Sequence, residues 1–238
     1  TIISIYRALK KINPHSILTY ALKPIFYGSL IAKILDIRHF PMLVGLGYTA
    51  GYTFTRNFKV LLKGKLLWPI ISFLYKLSLN SSEKIFVYNK DILSLFIEKR
   101  LIKNKDKTVL VNGSGVDINH FNLCELPKEL SFLLIARLLS DKGLYEYVDA
   151  ARSLKTRYPN IKFKLVGFID TDNPTAISKD ALNSWIDEGT INYLGKLDDV
   201  RPAILDSSVY VLPSYHEGIP RSVLEAMAMG RAVITGNQ

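Results

Sequence analysis

The chain has 238 residues, of which 48% are hydrophobic and 22% charged. This composition excludes a disordered protein and suits one large domain or two modest ones. The single cysteine, Cys124, excludes an internal disulfide, and no Cys/His cluster has metal-ligand spacing. The chain opens at Thr1 within a helical pattern and stops at Gln238 soon after an apolar run. We therefore expect a piece of a longer protein.

The charge is divided unequally along the chain. Residues 1–124 hold 18 Lys/Arg and 6 Asp/Glu, a net charge of +12, whereas residues 125–238 hold 13 and 15, a net charge of −2. This asymmetry indicates that the first half faces something anionic, which could be nucleic acid, a membrane surface or a phosphorylated substrate.

Strands and helices alternate along the whole chain, which predicts an α/β protein with parallel sheets and helices on both faces. The pattern restarts after the loop 117–130, where the charge also reverses, so we place the boundary between domains 1–124 and 125–238. In the first domain we predict helix 2–12, strand 16–22, helix 25–35, strand 41–44, helix 61–79 with an interruption at Pro69, strand 84–88, helix 91–99 and strand 108–111. In the second we predict strand 132–137, helix 143–158, strand 161–166, helix 176–188, strand 191–194, helix 200–205, strand 209–212, helix 220–229 and strand 232–235.

No apolar stretch reaches the ~18 to 20 residues that a membrane span needs. Residues 56–76 combine lysines, aromatic residues and an apolar run that includes Pro69. A helix of this kind can lie in the interface of an anionic bilayer. It can equally be a core helix with solvated lysines, and the sequence leaves both interpretations open.

The most informative run, residues 214–235, reads SYHEGIPRSVLEAMAMGRAVIT. It follows a buried strand, and ligands of open parallel sheets bind beyond the carboxyl ends of strands. Pro220 suits the first turn of a helix, whose free N–H groups favour phosphate. Glu217 and Glu225 could then flank one ligand and bind vicinal hydroxyls, as on a ribose or hexose. Alternatively, Glu217 caps the helix and Glu225 is solvated.

The whole run resembles the E-x7-E signature of retaining glycosyltransferases of family 4, which have the GT-B fold. Glu217 and Glu225 match its two glutamates, while Arg231 stands where the family often has proline. The resemblance implies that Glu217 orients the donor hexose and Glu225 the ribose of a UDP-sugar. The other matching positions are Gly218, Pro220, Ala226, Met227, Ala228, Gly230 and Val233. The remaining expected donor-binding residues are His216, Ile219 and Arg221.

Residues 136–143, ARLLSDKG, resemble another donor-binding stretch of the family. The resemblance implies that Arg137 and Lys142 hold the donor diphosphate and stabilise the charge that develops on it, so we expect no metal or other cofactor. The DTD at 170–172 has the D-x-D form of metal-binding sites in another glycosyltransferase class. Its place in an early loop before Asn173 and Pro174 favours a solvated turn.

Segments of the first half resemble the acceptor domain of a subgroup that adds N-acetylgalactosamine or related sugars to polyprenyl-diphosphate-linked glycans. This part of the match rests on Lys23–Pro24 with Tyr27–Gly28 and on the GLGY at 45–48, and it implies Lys23, Gly47 and Tyr48 as acceptor-side residues. Residues 111–121 resemble the interdomain hinge. The resemblance implies two incomplete Rossmann-like domains whose parallel sheets face each other across a cleft. It also implies a UDP-sugar donor, a lipid-linked acceptor and a cytoplasmic protein peripheral to the inner face of the cell membrane, which residues 56–76 would contact.

Three other functions stay open at this point. The basic half could bind nucleic acid or other phosphates without catalysis, although no nucleic-acid module is present and we expect no such partner. The chain could belong to a related GT-B enzyme, such as a sugar-nucleotide epimerase or a phosphorylase. It could also be a catalytically inactive fragment.

Overall fold

The computed structural model describes residues 2–44, 58–215 and 217–236, without the side chains of 58–66. The chain divides into two compact units, Thr1–Gly113 and Ser114–Gln238. This division falls within the predicted hinge, 111–121, and earlier than the boundary predicted after residue 124. The difference has a physical reason, because Phe121 is buried in a core cluster of the second unit and holds the preceding residues there.

The first unit is a parallel sheet of four strands in the order β1-β2-β3-β4, each joined to the next through a helix. Leu18 lies opposite Phe40, and Ile85 opposite Thr108. Its elements are α1 Ile2–Ile12, β1 Ser16–Tyr20, α2 Leu22–Leu35, β2 Arg38–Leu43, α3 Phe58–Asn80, β3 Ile85–Val87, α4 Lys90–Glu98 and β4 Thr108–Leu110.

The core of the first unit lies between the sheet and its helices. Tyr75 of α3 is central, with edge-on contacts to the rings of Phe26 and Phe96. The helix α4 is positioned by Asn89, whose side chain accepts a hydrogen bond from the backbone N–H of Ile92 at 2.8 Å, as expected of a capping residue. The buried residues of this cluster are Ile25, Leu43, Ile71, Tyr75, Leu79, Ile85, Val87, Ile92, Phe96, Leu101 and Ile102.

The second unit is a parallel sheet of five strands in the order β7-β6-β5-β8-β9. From the central strand β5 the chain builds β6 and β7 on one side and then returns to build β8 and β9 on the other. Its elements are β5 Ser131–Ile135, α5 Leu144–Arg157, β6 Lys162–Val166, α6 Lys179–Asp187, β7 Asn192–Tyr193, α7 Arg201–Leu205, β8 Val209–Leu212, α8 Arg221–Ala228 and β9 Ala232–Thr235.

Two apolar clusters hold this sheet. The first includes α5, whose buried residues Leu144, Tyr147, Val148 and Ala151 recur at helical spacing. The second lies around β8 and α8. Because both faces are covered, the central strand β5 buries consecutive residues instead of alternating ones, and Leu133 and Leu134 are both fully buried.

The predicted α/β class and the succession of elements are confirmed, with ends that shift by a few residues. One helix differs, because α3 is continuous through Pro69, where the sequence indicated an interruption. Burial of Ile71, Tyr75 and Leu79 along one face of α3 offsets the hydrogen bond that proline removes. The glycine-rich segment 45–52 lies outside the described residues. No helix among the described residues is both long and apolar enough to cross a membrane.

Candidate functional site

The candidate site lies at the carboxyl ends of β5 and β8, the central pair of the second sheet. These strands are neighbours, with Phe132 opposite Val209 and Leu133 opposite Tyr210. After β5 the chain continues to β6 on one side of the sheet, and after β8 it continues to β9 on the other side. Ligands of doubly wound sheets bind at this switch point. All of the predicted donor residues belong to the two loops or to the helix α8 that follows the second.

The two loops contact each other directly. The backbone N–H of Tyr215 donates to the carbonyl of Asp141 at 3.0 Å, and the hydroxyl of Ser214 donates to the same oxygen at 3.2 Å. Gly143 makes this approach possible, because its φ is +72° and a Cβ there would lie 2.2 Å from the carbonyl oxygen of Pro213. The role of Gly143 depends on a residue far away in the sequence, so the motif alone did not reveal it.

Lys142 and Glu217 form the central ion pair of the site. The Lys142 ammonium donates to Oε1 of Glu217 at 2.6 Å, and the side chains are 17% and 27% exposed. The sequence placed both residues at one donor site, and the structure brings them together. Because the two side chains form an ion pair, one small ligand could contact both the ammonium of Lys142 and the carboxylate of Glu217.

Arg137 pairs with Asp170, the first aspartate of the DTD motif, at 3.0 Å. The motif lies in a turn, as predicted, in which the backbone N–H of Asn173 donates to the carbonyl of Asp170 at 2.9 Å, and the carboxylate of Asp170 neutralises a cation of the predicted donor site. No group of three or more His, Cys, Asp or Glu among the described residues lies close enough to hold a metal ion. The expectation that no metal takes part stays a prediction.

The second glutamate of the motif, Glu225, lies on α8 with a side chain that is only 13% exposed. Arg221, one turn earlier and largely exposed, lies 3.5 Å from it. Pro220 caps the helix with a φ of −70°, as the motif predicted for the start of a helix. Gly218 and Ile219 form the turn that leads into Pro220, whereas His216 lies outside the described residues.

Tyr210, on β8, is a site residue that the sequence analysis missed. It is 1% exposed, and its hydroxyl lies 3.1 Å from the carbonyl of Ile135 and 2.6 Å from the hydroxyl of Ser222. With one hydrogen to give, the phenol donates to the carbonyl and accepts from Ser222. Burial raises the pKa of Tyr210, and the nearby carboxylates of Glu217 and Glu225 raise it further. Tyr210 thus ties both central strands to the first turn of α8.

An open cavity of about 430 Å³ lies beside the start of α8, lined by Arg221 and by residues of the segment 111–121. Those residues are Ser114, Gly115, Val116 and Asp117. The predicted hinge segment therefore lies next to the donor helix within the second unit. It adds the hydroxyl of Ser114 and the carboxylate of Asp117 to the polar surface that Arg221 lines.

Of the three predicted acceptor-side residues, Lys23 alone lies among the described residues. It is exposed in the first turn of α2, directly after the carboxyl end of β1. Gly47 and Tyr48 lie outside the described residues. An acceptor role for these three residues stays a prediction.

Comparison with known sequences gives the same family as the motif. The family model described as "Glycosyl transferases group 1" matches residues 129–238. The N,N'-diacetylbacillosaminyl-diphospho-undecaprenol alpha-1,3-N-acetylgalactosaminyltransferase of Campylobacter jejuni is 31% identical over 97% of this chain and 61% of its own. The capsular polysaccharide biosynthesis glycosyltransferase CapH of Staphylococcus aureus is 25% identical over 63% of this chain and 41% of its own. The chain thus spans less than two thirds of these relatives.

Comparison with solved structures gives the fold. Sucrose-phosphate synthase of Thermosynechococcus elongatus matches 98% of this chain and 59% of its own, with a TM-score of 0.77 and 18% identity. Anabaena HepE, solved in complex with UDP, matches 98% of this chain and 62% of its own, with a TM-score of 0.72 and 15% identity. The α/β fold of the chain, with two parallel sheets, is therefore the GT-B fold of glycosyltransferases, and residues 129–238 belong to the glycosyl transferases group 1 family.

Proposed function

We propose that this protein transfers a hexosyl or N-acetylhexosaminyl unit from a UDP-sugar to a lipid-linked glycan, with retention at the anomeric carbon. The reaction would serve the assembly of a cell-surface polysaccharide or glycan. One observation carries the proposal: Lys142 and Glu217 meet at the switch point of the second sheet. The Campylobacter relative, whose name specifies a diphospho-undecaprenol acceptor, supports the acceptor class.

In the proposed reaction the bond between the anomeric carbon and the diphosphate oxygen breaks, and its electron pair stays on that oxygen. Lys142 and Arg137 stabilise the negative charge that develops there, an effect that accelerates reaction because it is strongest in the transition state. The acceptor hydroxyl oxygen forms the new bond on the face that the diphosphate leaves. Its proton passes to the departing diphosphate or to solvent, so charge and atoms balance.

The ion pairs of the site suggest how a donor would bind. Both cations already have a carboxylate partner, Glu217 for Lys142 and Asp170 for Arg137. A diphosphate carries more charge than one carboxylate and can replace it without leaving a half-buried cation unpaired, which would be costly. Glu217 is then released to accept hydrogen bonds from the donor hexose. We propose that this exchange binds the donor without a metal cofactor.

The rest of the donor would lie along the start of α8. Glu225 suits the ribose hydroxyls, since a carboxylate accepts two hydrogen bonds from vicinal hydroxyl groups. The backbone N–H groups of Ile219 and Arg221, on either side of Pro220, would bind a phosphate or sugar oxygen, as N–H groups at the start of a helix do. Tyr210 would hold this helix against the central strands.

The acceptor would bind at the first unit. Lys23 at the start of α2 is suited to the acceptor diphosphate, and we propose Gly47 and Tyr48 as further acceptor-side residues. A polyprenyl-linked acceptor lies in a membrane, so we propose that the protein works in the cytoplasm as a peripheral protein at the inner face of the cell membrane. The net charge of +12 in residues 1–124 suits that surface.

The test uses the full-length protein, a panel of UDP-sugars and a polyprenyl-diphosphate-linked glycan. We expect a glycosylated lipid product whose new linkage has the donor's anomeric configuration by NMR. An epimerised UDP-sugar or a sugar 1-phosphate would identify one of the related GT-B enzymes instead. Salt-sensitive binding of oligonucleotides without UDP affinity would favour a nucleic-acid-binding protein.

A Lys142→Met variant tests the site itself. Loss of the ammonium should weaken UDP binding at least about tenfold, because hydrogen bonds to charged groups contribute about 1.5–3 kcal/mol. Lys179→Met is the matched control, since Lys179 is an exposed lysine of the same unit at the start of α6. Calorimetric titration with UDP measures both. Equal affinity for the two variants would refute the assignment of Lys142.

A further inference from the structure

Arg231 lies directly after the end of the donor helix α8, next to Gly230, whose φ is +78°. It is only 4% exposed, although a guanidinium is always charged and is seldom fully buried without a partner. None of the ion pairs found among the described residues includes it. The family often has proline at this position, so the motif does not account for the buried arginine.

The guanidinium of Arg231 contacts residues 121–125, which we call the linking segment. Nη2 donates to the carbonyl of Glu125 at 2.9 Å and to that of Cys124 at 3.2 Å, 106 and 107 positions earlier in the chain. Nε and Nη1 are buried and have no hydrogen-bond partner within the part of the chain that the structure describes. Neutral carbonyls compensate a buried charge only in part, so Arg231 is costly to the stability of the fold.

Three other contacts hold the linking segment against the end of α8. Phe121 is buried in the apolar cluster that also contains Met229. The backbone N–H of Cys124 donates to the carbonyl of Met229 at 3.5 Å. Leu123 lies so close to Gly230 that a Cβ there would be 2.6 Å from its Cδ1. The hydrogen bonds of Arg231 therefore complete a contact between the linking segment and the end of the donor helix.

The helix α8 is thereby held at both ends. Tyr210 joins its first turn to the central strands through the hydroxyl of Ser222, and Arg231 joins its end to the linking segment. Between these two attachments lies Glu225, with a side chain that is only 13% exposed. Residues 114–117, a few positions before the linking segment, line the cavity beside the start of α8. One stretch of chain thus lies beside both the start and the end of this helix.

We propose that Arg231 is a positioning residue of the donor site, which fixes α8 by joining its end to the linking segment. It acts through the helix, whose start and Glu225 would contact the donor. The effect on the donor rests on the proposed function, whereas the attachment of the linking segment does not. Binding at the start of α8 and attachment at its end are then coupled, so each should stabilise the other.

The experiment measures the rate of alkylation of Cys124 in the full-length protein by peptide mass spectrometry, with and without UDP. Cys124 is half-buried within the linking segment, so its rate reports local opening. Arg231→Met keeps an unbranched side chain but removes the donors, and alkylation should become at least about fivefold faster. UDP should slow alkylation of the native protein about twofold or more and should not slow that of the variant.

Donor kinetics distinguish positioning from a purely structural role. In Arg231→Met the KM for the UDP-sugar should rise about three- to tenfold with little change in kcat, as when binding of the ground state and the transition state weakens equally. Arg231→Lys keeps a cationic donor and should restore part of the affinity. The urea midpoint of Arg231→Met should stay equal or rise, because an apolar side chain often replaces a buried ion without loss of stability.

Arg157→Met is the matched control, since Arg157 is an exposed arginine in the last turn of α5, in the same unit. It should behave like the native protein in every assay. Alkylation of Arg231→Met at the native rate would overturn the proposal. So would faster alkylation with a native KM, or a lower urea midpoint with alkylation and KM unchanged. If the native protein binds no UDP, the proposed function fails, and alkylation without UDP still tests the attachment by itself.

Discussion

The two units use charge in opposite ways. All eight ion pairs found among the described residues join residues of the second unit, and three of them include a cation of the predicted donor site. The part of the first unit that the structure describes has none, although residues 1–124 carry the whole positive excess of the chain. Charges in the second unit compensate one another, whereas the positive excess of the first unit has no ion-pair partner among its described residues.

This difference indicates two kinds of binding. At the donor site a ligand has to replace carboxylates that already neutralise Arg137, Lys142 and Arg221, so charge and shape must both fit. Such exchange favours a compact polyanion over a single carboxylate. In the first unit no exchange is needed, because none of the lysines whose side chains the structure describes belongs to an ion pair, and such a surface attracts an anionic one within a Debye length. Specificity is therefore expected from the second unit, and affinity for a surface from the first.

The largest expected effect comes from removing the carboxylate that pairs with Lys142. Glu217→Gln keeps the size of the side chain but loses its charge, and we expect the transfer rate of the full-length enzyme to fall at least about 100-fold, as when a transition-state contact is lost. UDP affinity should stay equal or rise, because the competitor of the diphosphate is gone. Initial rates and calorimetric titration measure the two effects.

Glu188→Gln is the control for this variant. Glu188 pairs with Arg152 on the surface of the same unit, away from the donor loops, and its replacement should leave the transfer rate unchanged. Near-normal transfer by the Glu217 variant would remove Glu217 from the mechanism. A large loss of UDP affinity would show instead that the ion pair shapes the site.

The second effect concerns the contact between the two donor loops. In Gly143→Ala a methyl group would lie 2.2 Å from the carbonyl oxygen of Pro213, at a φ of +72°. Gly189→Ala has a similar φ of +65° but nothing within 4 Å, so it isolates the conformational cost, about 1–2 kcal/mol. We expect Gly143→Ala to lower the free energy of unfolding by at least about 2 kcal/mol more, as measured by urea denaturation. Equal losses would mean that the loops do not need their close contact.

The sequence predicted the fold well because its signals are local. Apolar periodicity and turn residues lie within each element, and the alternation of strands and helices then limits the topology. The motif also placed Glu217, Glu225, Arg137 and Lys142 at one site. The sequence could not predict contacts between residues that lie far apart along the chain, such as the ion pair of Lys142 with Glu217.

Two further residues show the same limit. Tyr210 looks like any aromatic residue of a buried strand, and its role appears only when its hydroxyl is seen between Ile135 and Ser222. Asp170 suggested a metal site or a solvated turn, yet it pairs with Arg137 across 33 positions of sequence. The outward face of α3 exposes Leu67, Ile70, Phe73 and Leu77. The sequence could not predict this face, because which side of an apolar helix packs inward depends on its neighbours in the fold.

The smallest effect tests whether Asp170 competes with the donor or orients Arg137. The two side chains are 27% and 52% exposed, and exposed ion pairs contribute about 0–1 kcal/mol to stability. Asp170→Asn should therefore change the free energy of unfolding little. If the carboxylate competes with the diphosphate, UDP should bind about two- to fivefold more tightly, within the range expected of one exposed pair.

Asp172→Asn supplies the control for Asp170→Asn, because it removes the same charge from an exposed position of the same loop. A gain in UDP affinity that is shared by both variants would come from net charge alone. A gain in UDP affinity confined to Asp170→Asn, measured by calorimetry at low salt, would show that the donor displaces the carboxylate of Asp170 from Arg137. Weaker binding of UDP by Asp170→Asn would show that Asp170 orients Arg137 for the donor instead of competing with it.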